Sequence, residues 1–166
     1  GHPKGALGTH RNFCSVVTSM AHAQTATMLR MGSSPADLDA LRRVPQATLL
    51  TVPLFHVSGC HGMMTTMMTV GGKLVMLRKW DPAAAIDAIE REKITTFSGV
   101  PSMSRELLNF PGVERRDLSS LLSFGYGGAP AAPELLRLIK SRAPSAGVLN
   151  GWGITETSSG ISSIVG

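Results

Sequence analysis

The feature that most constrains this chain is the regular alternation of short apolar runs with helix-forming stretches through its second half. Lys73 to Leu77 reads as a strand. Asp81 can cap a helix that opens on Pro82 and runs to about Glu92. Ile94 to Phe97 reads as a strand, Pro101 to about Asn109 as a helix, and Leu121 to Tyr126 as a strand that ends in Gly127-Gly128. Pro133 to about Arg142 reads as a helix, and Gly147 to Leu149 as a strand that ends in Asn150-Gly151. Strands separated by helices demand crossover connections, and these give an α/β fold with a layered, largely parallel sheet flanked by helices.

The first half fits the same scheme less regularly. Thr9 can cap a helix running to about Met31, with Phe13, Val16, Val17 and Met20 at helical spacing on one face. Gly32 to Pro35 stops it, and Asp37 to Pro45 reads as a surface connection. Ala47 to Val52 is a short run containing β-branched residues, read as a buried strand ending at Pro53. Cys60 to Val70 reads as a Met-rich buried helix, since Met fills irregular gaps in a core.

Composition narrows the function classes. The chain has 166 residues, 43% hydrophobic and 16% charged, in the range of one globular domain with a real core. Its apolar stretches are interrupted by Gly, Thr, His or Pro, so no transmembrane span is expected, which leaves peripheral membrane contact open. The formal charge of +5 is scattered, and aromatics make up only 5%, which argues against a nucleic-acid platform. Cys14 and Cys60 stand far apart without a CxxC, which fits a reducing, cytoplasmic setting.

In parallel sheets, ligands bind beyond the carboxyl ends of the strands. Three segments with unusual residues, all read as loops, fall there: Pro53 to Gly59, Gly127 to Pro130, and Asn150 to Thr157. Gly151-Trp152-Gly153-Ile154-Thr155-Glu156 sets a flat aromatic between glycines, followed by a hydroxyl and a carboxylate. That order suits base stacking, a phosphate contact and a magnesium ligand. It equally suits a core tryptophan before a helix start. Gly1-His2-Pro3-Lys4-Gly5 places a lysine between glycines, a pattern for phosphate oxygens or for a plain surface turn. No GxxxxGK[ST] loop is present, Pro130 breaks any GxGxxG, and Ser58 lies in no GxSxG elbow. His56, Cys60 and His61 lack a second ligand cluster at zinc spacing.

Taken together these motifs resemble the adenylate-forming superfamily of acyl-CoA synthetases, luciferases and peptide-synthetase adenylation domains. Gly1 to Gly5 with Thr9-His10-Arg11-Asn12 looks like the second half of that family's phosphate loop. Pro53-Leu54-Phe55-His56, Val100-Pro101-Ser102, Gly127-Gly128-Ala129-Pro130 and Gly151-Trp152-Gly153-Ile154-Thr155-Glu156 are similar to further family motifs, in the family's order. The one departure is Trp152, where tyrosine is usual.

The resemblance implies residue roles. Gly1, Lys4 and Gly5 would hold the ATP phosphates. Trp152 would stack on adenine, with Gly127, Gly128, Ala129, Asn150, Gly151 and Gly153 around the nucleotide. Thr155 would contact phosphate and Glu156 would hold Mg2+, so Lys4, Thr155 and Glu156 are the catalytic candidates. His56, Val57, Ser58, Ser98, Gly99, Val100 and Gly153 would line the pocket for a carboxylic acid. The small uncharged residues there suit a fatty acid, making the parent a fatty acid–CoA ligase that uses ATP, Mg2+ and CoA. The alternatives are a peptide-synthetase-type adenylation domain and a non-catalytic nucleotide-binding or assembly module. Residues 1–166 would then be part of a large N-terminal AMP-binding domain, cut at both ends, with the C-terminal domain and its lysine absent. Such a fragment is expected to be inactive alone and to self-associate.

Overall fold

The computed structural model describes His2 and residues 4–165. Its frame is one six-stranded sheet in the order β2-β1-β3-β4-β5-β6. The strands are β1 (Ala47–Leu50), β2 (Lys73–Met76), β3 (Thr96–Gly99), β4 (Ser123–Gly127), β5 (Gly147–Ile154) and β6 (Ser159–Val165). All neighbours pair in parallel except β5 and β6, which run antiparallel. The α/β expectation holds, and the antiparallel edge strand is an addition to it.

The core forms because one transverse row of the sheet is apolar. Val75, Leu49, Phe97, Phe124 and Val148 stand in register across β2, β1, β3, β4 and β5. Against this face pack α4 (Pro82–Glu92), α5 (Pro101–Leu108) and α6 (Pro133–Arg142), through Ile86, Ile89, Leu107, Leu108, Leu135 and Ile139, all at most 1% exposed. Phe97 and Phe124 stack at 4.7 Å between ring centroids. Burying a side chain of this size stabilises by about 1.5–3 kcal/mol. The next row on the other face is Met76, Leu50, Ser98, Gly125 and Leu149. Its middle is small and polar, which leaves room above the sheet there.

Helix starts follow their caps. The Asp81 carboxylate accepts from the Ala83 and Ala84 N–H groups at 2.9 and 3.2 Å, so α4 begins at Pro82. Thr9 and Asn12 form a reciprocal cap at the start of α1 (His10–Arg30). No residue of α1 is buried, and of its expected inner face Phe13, Val16 and Val17 are half-covered while Met20 is exposed.

Several expected boundaries are corrected. The stretch read as a surface connection from Asp37 to Pro45 is mostly helix, α2 (Pro35–Arg43), because Ser34 and Asp37 form a second reciprocal cap and Pro35 opens the first turn. The Met-rich segment is a π-helix over Ser58–Thr65 continued by the short α3 (Thr66–Thr69), not one buried α-helix. Met67 is buried, whereas Met68 is 72% exposed. The wide helix is held by the Thr65 hydroxyl, which donates to the Cys60 carbonyl five residues back at 3.0 Å. β3 begins two residues later than its apolar run, since Ile94 and Thr95 are buried in the connection before it.

Candidate active site at the carboxyl ends of the strands

The site residues gather where β1, β3, β4 and β5 end. β3 and β4 register Gly99 with Tyr126, and β4 and β5 register Tyr126 with Asn150 and Gly127 with Gly151. Two glycines are required by close approach: a Cβ on Gly127 would collide with the Gly151 carbonyl, and one on Gly153 with the Ser159 carbonyl. Gly128 adopts φ +75°, and its Cβ position lies 3.7 Å from Val100 Cγ1, bringing the β4 turn against the β3 exit. The Cβ position of Gly99 lies in turn 3.5 Å from Thr51 Oγ1, which joins the β1 exit. The Thr51 hydroxyl donates to the Ser98 carbonyl, so this threonine, which no motif marks, ties β3 to the segment that follows β1.

The loop after β1 is shaped by Gly59. A Cβ there would stand 2.7 Å from the Val52 carbonyl oxygen and closer still to that of Pro53. The tight fold brings the Ser58 N–H to His56 Nδ1 at 3.2 Å. With Nδ1 engaged in this bond, the His56 ring stands exposed at the mouth of the loop. Phe55 beside it is 93% exposed.

Asn150 to Ile154 is not a loop. β5 continues through it because β6 pairs alongside, matching Asn150 with Ile164 and Trp152 with Ser162, with an irregularity at Trp152 and Gly153. Trp152 is 59% exposed, which removes the core-tryptophan reading and leaves a flat ring open to a ligand. A 3-10 turn over Thr155–Thr157 follows, with Thr155 and Glu156 both exposed. The turn closes on Ser158 and Ser159, at φ 57° and 114°. Side chains at such angles are strained, and no sequence signal marks these serines.

Lys4 and Gly5 lie exposed before α1, and nothing stands within 4 Å of the Cβ position of Gly5. Their segment approaches the rest of the site at Gly8, whose Cβ position is 4.0 Å from Ser158 Oγ. Gly1 lies outside the described residues. Glu156 belongs to no group of three metal-ligating side chains among the described residues. One free carboxylate fits magnesium in this setting, because that ion keeps several waters and takes phosphate oxygens beside one or two carboxylates.

A cleft of about 590 Å3 opens at the opposite, amino ends of the strands, between Lys73, Arg91 and Lys93. Lys73 and Arg91 both pair with Glu92, at 3.0 and 2.9 Å, and Lys93 pairs with Asp117 at 3.1 Å. With these cations already partnered, the carboxyl-end cluster is the better candidate.

The family model for AMP-binding enzymes matches residues 1–165. The chain belongs to the AMP-binding enzyme family. It is 32% identical to 4-coumarate–CoA ligase-like 5 of Oryza sativa subsp. japonica, over all of this chain and 30% of that protein. A Rhodopseudomonas palustris CGA009 structure described as a long-chain-fatty-acid CoA ligase is similar at 26% identity and TM-score 0.76, over 98% of this chain and 36% of that one. O-succinylbenzoate coenzyme A synthetase of Bacillus subtilis, solved with ATP and magnesium ion, is similar at 25% identity and TM-score 0.73, over 99% of this chain and 30% of that one. The AMP-binding chain thus spans about a third of the length of the relatives it matches.

Proposed function

We propose that this chain carries the nucleotide and acyl sites of an ATP-dependent acid–thiol ligase acting on a fatty acid. The observation that supports it most is the exposed Trp152 on β5, with Thr155 and Glu156 on the turn that follows and the glycine-lined exits of β3 and β4 alongside. In this reading a carboxylate oxygen attacks the α-phosphorus of ATP and displaces pyrophosphate. The thiol of CoA then attacks the acyl carbon and displaces AMP. Trp152 stacks on the adenine, and the backbone around Gly127, Gly128, Ala129, Asn150, Gly151 and Gly153 lies against it. Lys4 and Gly5, with Gly1, hold phosphate oxygens, and Thr155 orients the phosphate. Glu156 holds magnesium, which supplies positive charge at the phosphates. No side chain acts as a nucleophile, so the protein contributes alignment and charge compensation.

Ser98, Gly99 and Val100, with His56, Val57 and Ser58 opposite and Gly153 beside the nucleotide, line the acyl pocket. Small neutral residues leave room for an alkyl chain. The likeness to a 4-coumarate–CoA ligase-like protein favours an aromatic acid as the second reading. The test is carboxylate-dependent ATP–pyrophosphate exchange by the full-length protein, with fatty acids and hydroxycinnamic acids compared, followed by CoA thioester formation. Exchange stimulated most by fatty acids is expected. Stimulation by hydroxycinnamic acids alone would replace the substrate, and no exchange with any carboxylate would reject the ligase reading.

A further inference from the structure

Three segments of the site meet at one place that the roles above leave unused. The stretch that follows Lys4 and Gly5 reaches Ser158 at Gly8. The π-helix after the acyl loop reaches Ser159 at Gly62, whose Cβ position is 2.8 Å from Ser159 Oγ. Ser158 and Ser159 follow the Thr155–Glu156 turn directly and hold positive φ angles. Beside this meeting point the Phe13 ring of α1 packs on the His61 ring of the π-helix, 4.3 Å between centroids and tilted by 59°. His61 Nδ1 is buried and has no hydrogen-bond partner among the described residues. A buried polar atom left unpaired is costly, so packing must hold the ring where it is.

We propose that His61 is a positioning residue that, through Phe13, keeps the phosphate segment and the acyl loop in one register. The inference rests on the ATP-dependent reading of the site. Phe13 lies within the first turns of α1, just past the Thr9–Asn12 cap, so its place sets where the residues before Thr9 leave the helix. His61 lies two residues past Gly59, so its place sets how the tight loop from Pro53 closes. α1 offers no buried side chain to do this instead. The aromatic pair packs α1 directly on the π-helix and so joins the two segments.

The test is a double-mutant cycle in the full-length protein, read by ATP affinity in calorimetry and by melting temperature. His61→Ala and Phe13→Ala are each expected to weaken ATP binding about twofold to tenfold, the range that one aromatic pair supports. The double variant should be no weaker than either single one, because both remove the same link. His61→Phe should restore affinity, since it keeps the ring and drops the unpaired nitrogen. A fall in melting temperature with ATP affinity unchanged would overturn the proposal, as would additive losses. Should either alanine variant fail to fold, His61→Leu against His61→Phe decides: equal ATP affinities overturn the link. ATP binding without carboxylate-dependent exchange would defeat the ligase reading and leave the cycle readable. No ATP binding by the unaltered protein would defeat both.

Discussion

Trp152 and Glu156 carry the sharpest expectations at the scale of single residues. Trp152 is exposed on a strand rather than packed in the core, so its replacement should spare the fold. Trp152→Ala is expected to weaken ATP binding in the full-length protein by about 1–3 kcal/mol, the loss of one aromatic–base stack. Trp152→Tyr should stay near the parent, because a flat ring remains; equal losses for both in a titration would refute stacking. Glu156→Gln keeps size and removes charge. It should slow pyrophosphate exchange by roughly one to three orders of magnitude, comparable with losing one preorganised charge contact, and added magnesium should recover part of it. A small drop in melting temperature with exchange unchanged would mean that Glu156 merely begins its turn. These candidates were legible because their residue types carry chemistry in a fixed order. Thr51, Ser158 and Ser159 were not, because what singles them out is a hydrogen bond to a distant strand and a backbone angle.

Helices α4 and α6 were legible to the residue, since Asp81-Pro82 and Pro133 mark their first turns locally. α2 was missed although Ser34-Pro35-x-Asp37 is the same kind of signal; its polar composition outweighed its cap. The length of β5 could not be read locally, because its outer half is a strand only by pairing with β6. A further expectation concerns the link between α4 and the segment before β4. Arg116 bridges Glu90 and Asp87, while Asp117 accepts from Ser119 and Lys93. The Ser119 hydroxyl and N–H, and then the Lys93 ammonium, lower the Asp117 carboxyl from 3.8 to about 2. A carboxyl depressed by folding stabilises above its unfolded value and loses that contribution as pH falls through the folded one. Wild type should therefore lead Asp117→Asn in melting temperature above about pH 4, and the lead should shrink between 3.8 and about 2. A lead that stays constant through that interval would assign it to packing instead.

Among the described residues the sheet ends in two unpaired edges, β2 and β6. Met68, Val70 and Met76 beside the first are 72%, 56% and 61% exposed. Unpaired backbone next to apolar surface favours self-association, so the 166-residue chain should elute in size exclusion at sizes that grow with concentration. A single monomer peak at all concentrations would contradict this. The strand order has one more consequence, which concerns time rather than place. Every parallel pairing closes across a long crossover, whereas β5 and β6 are joined by the short turn that carries Thr155 and Glu156. Local pairings form in about 1–10 μs, and distant ones wait on loop closure. In pulse-labelled hydrogen exchange during refolding, the β5 amides that face β6 should gain protection before those of Thr48 and Phe97, and the reverse order would refute this. The ring proposed for adenine and the carboxylate proposed for magnesium would then be joined on a hairpin before the exits of β1 and β3 come together.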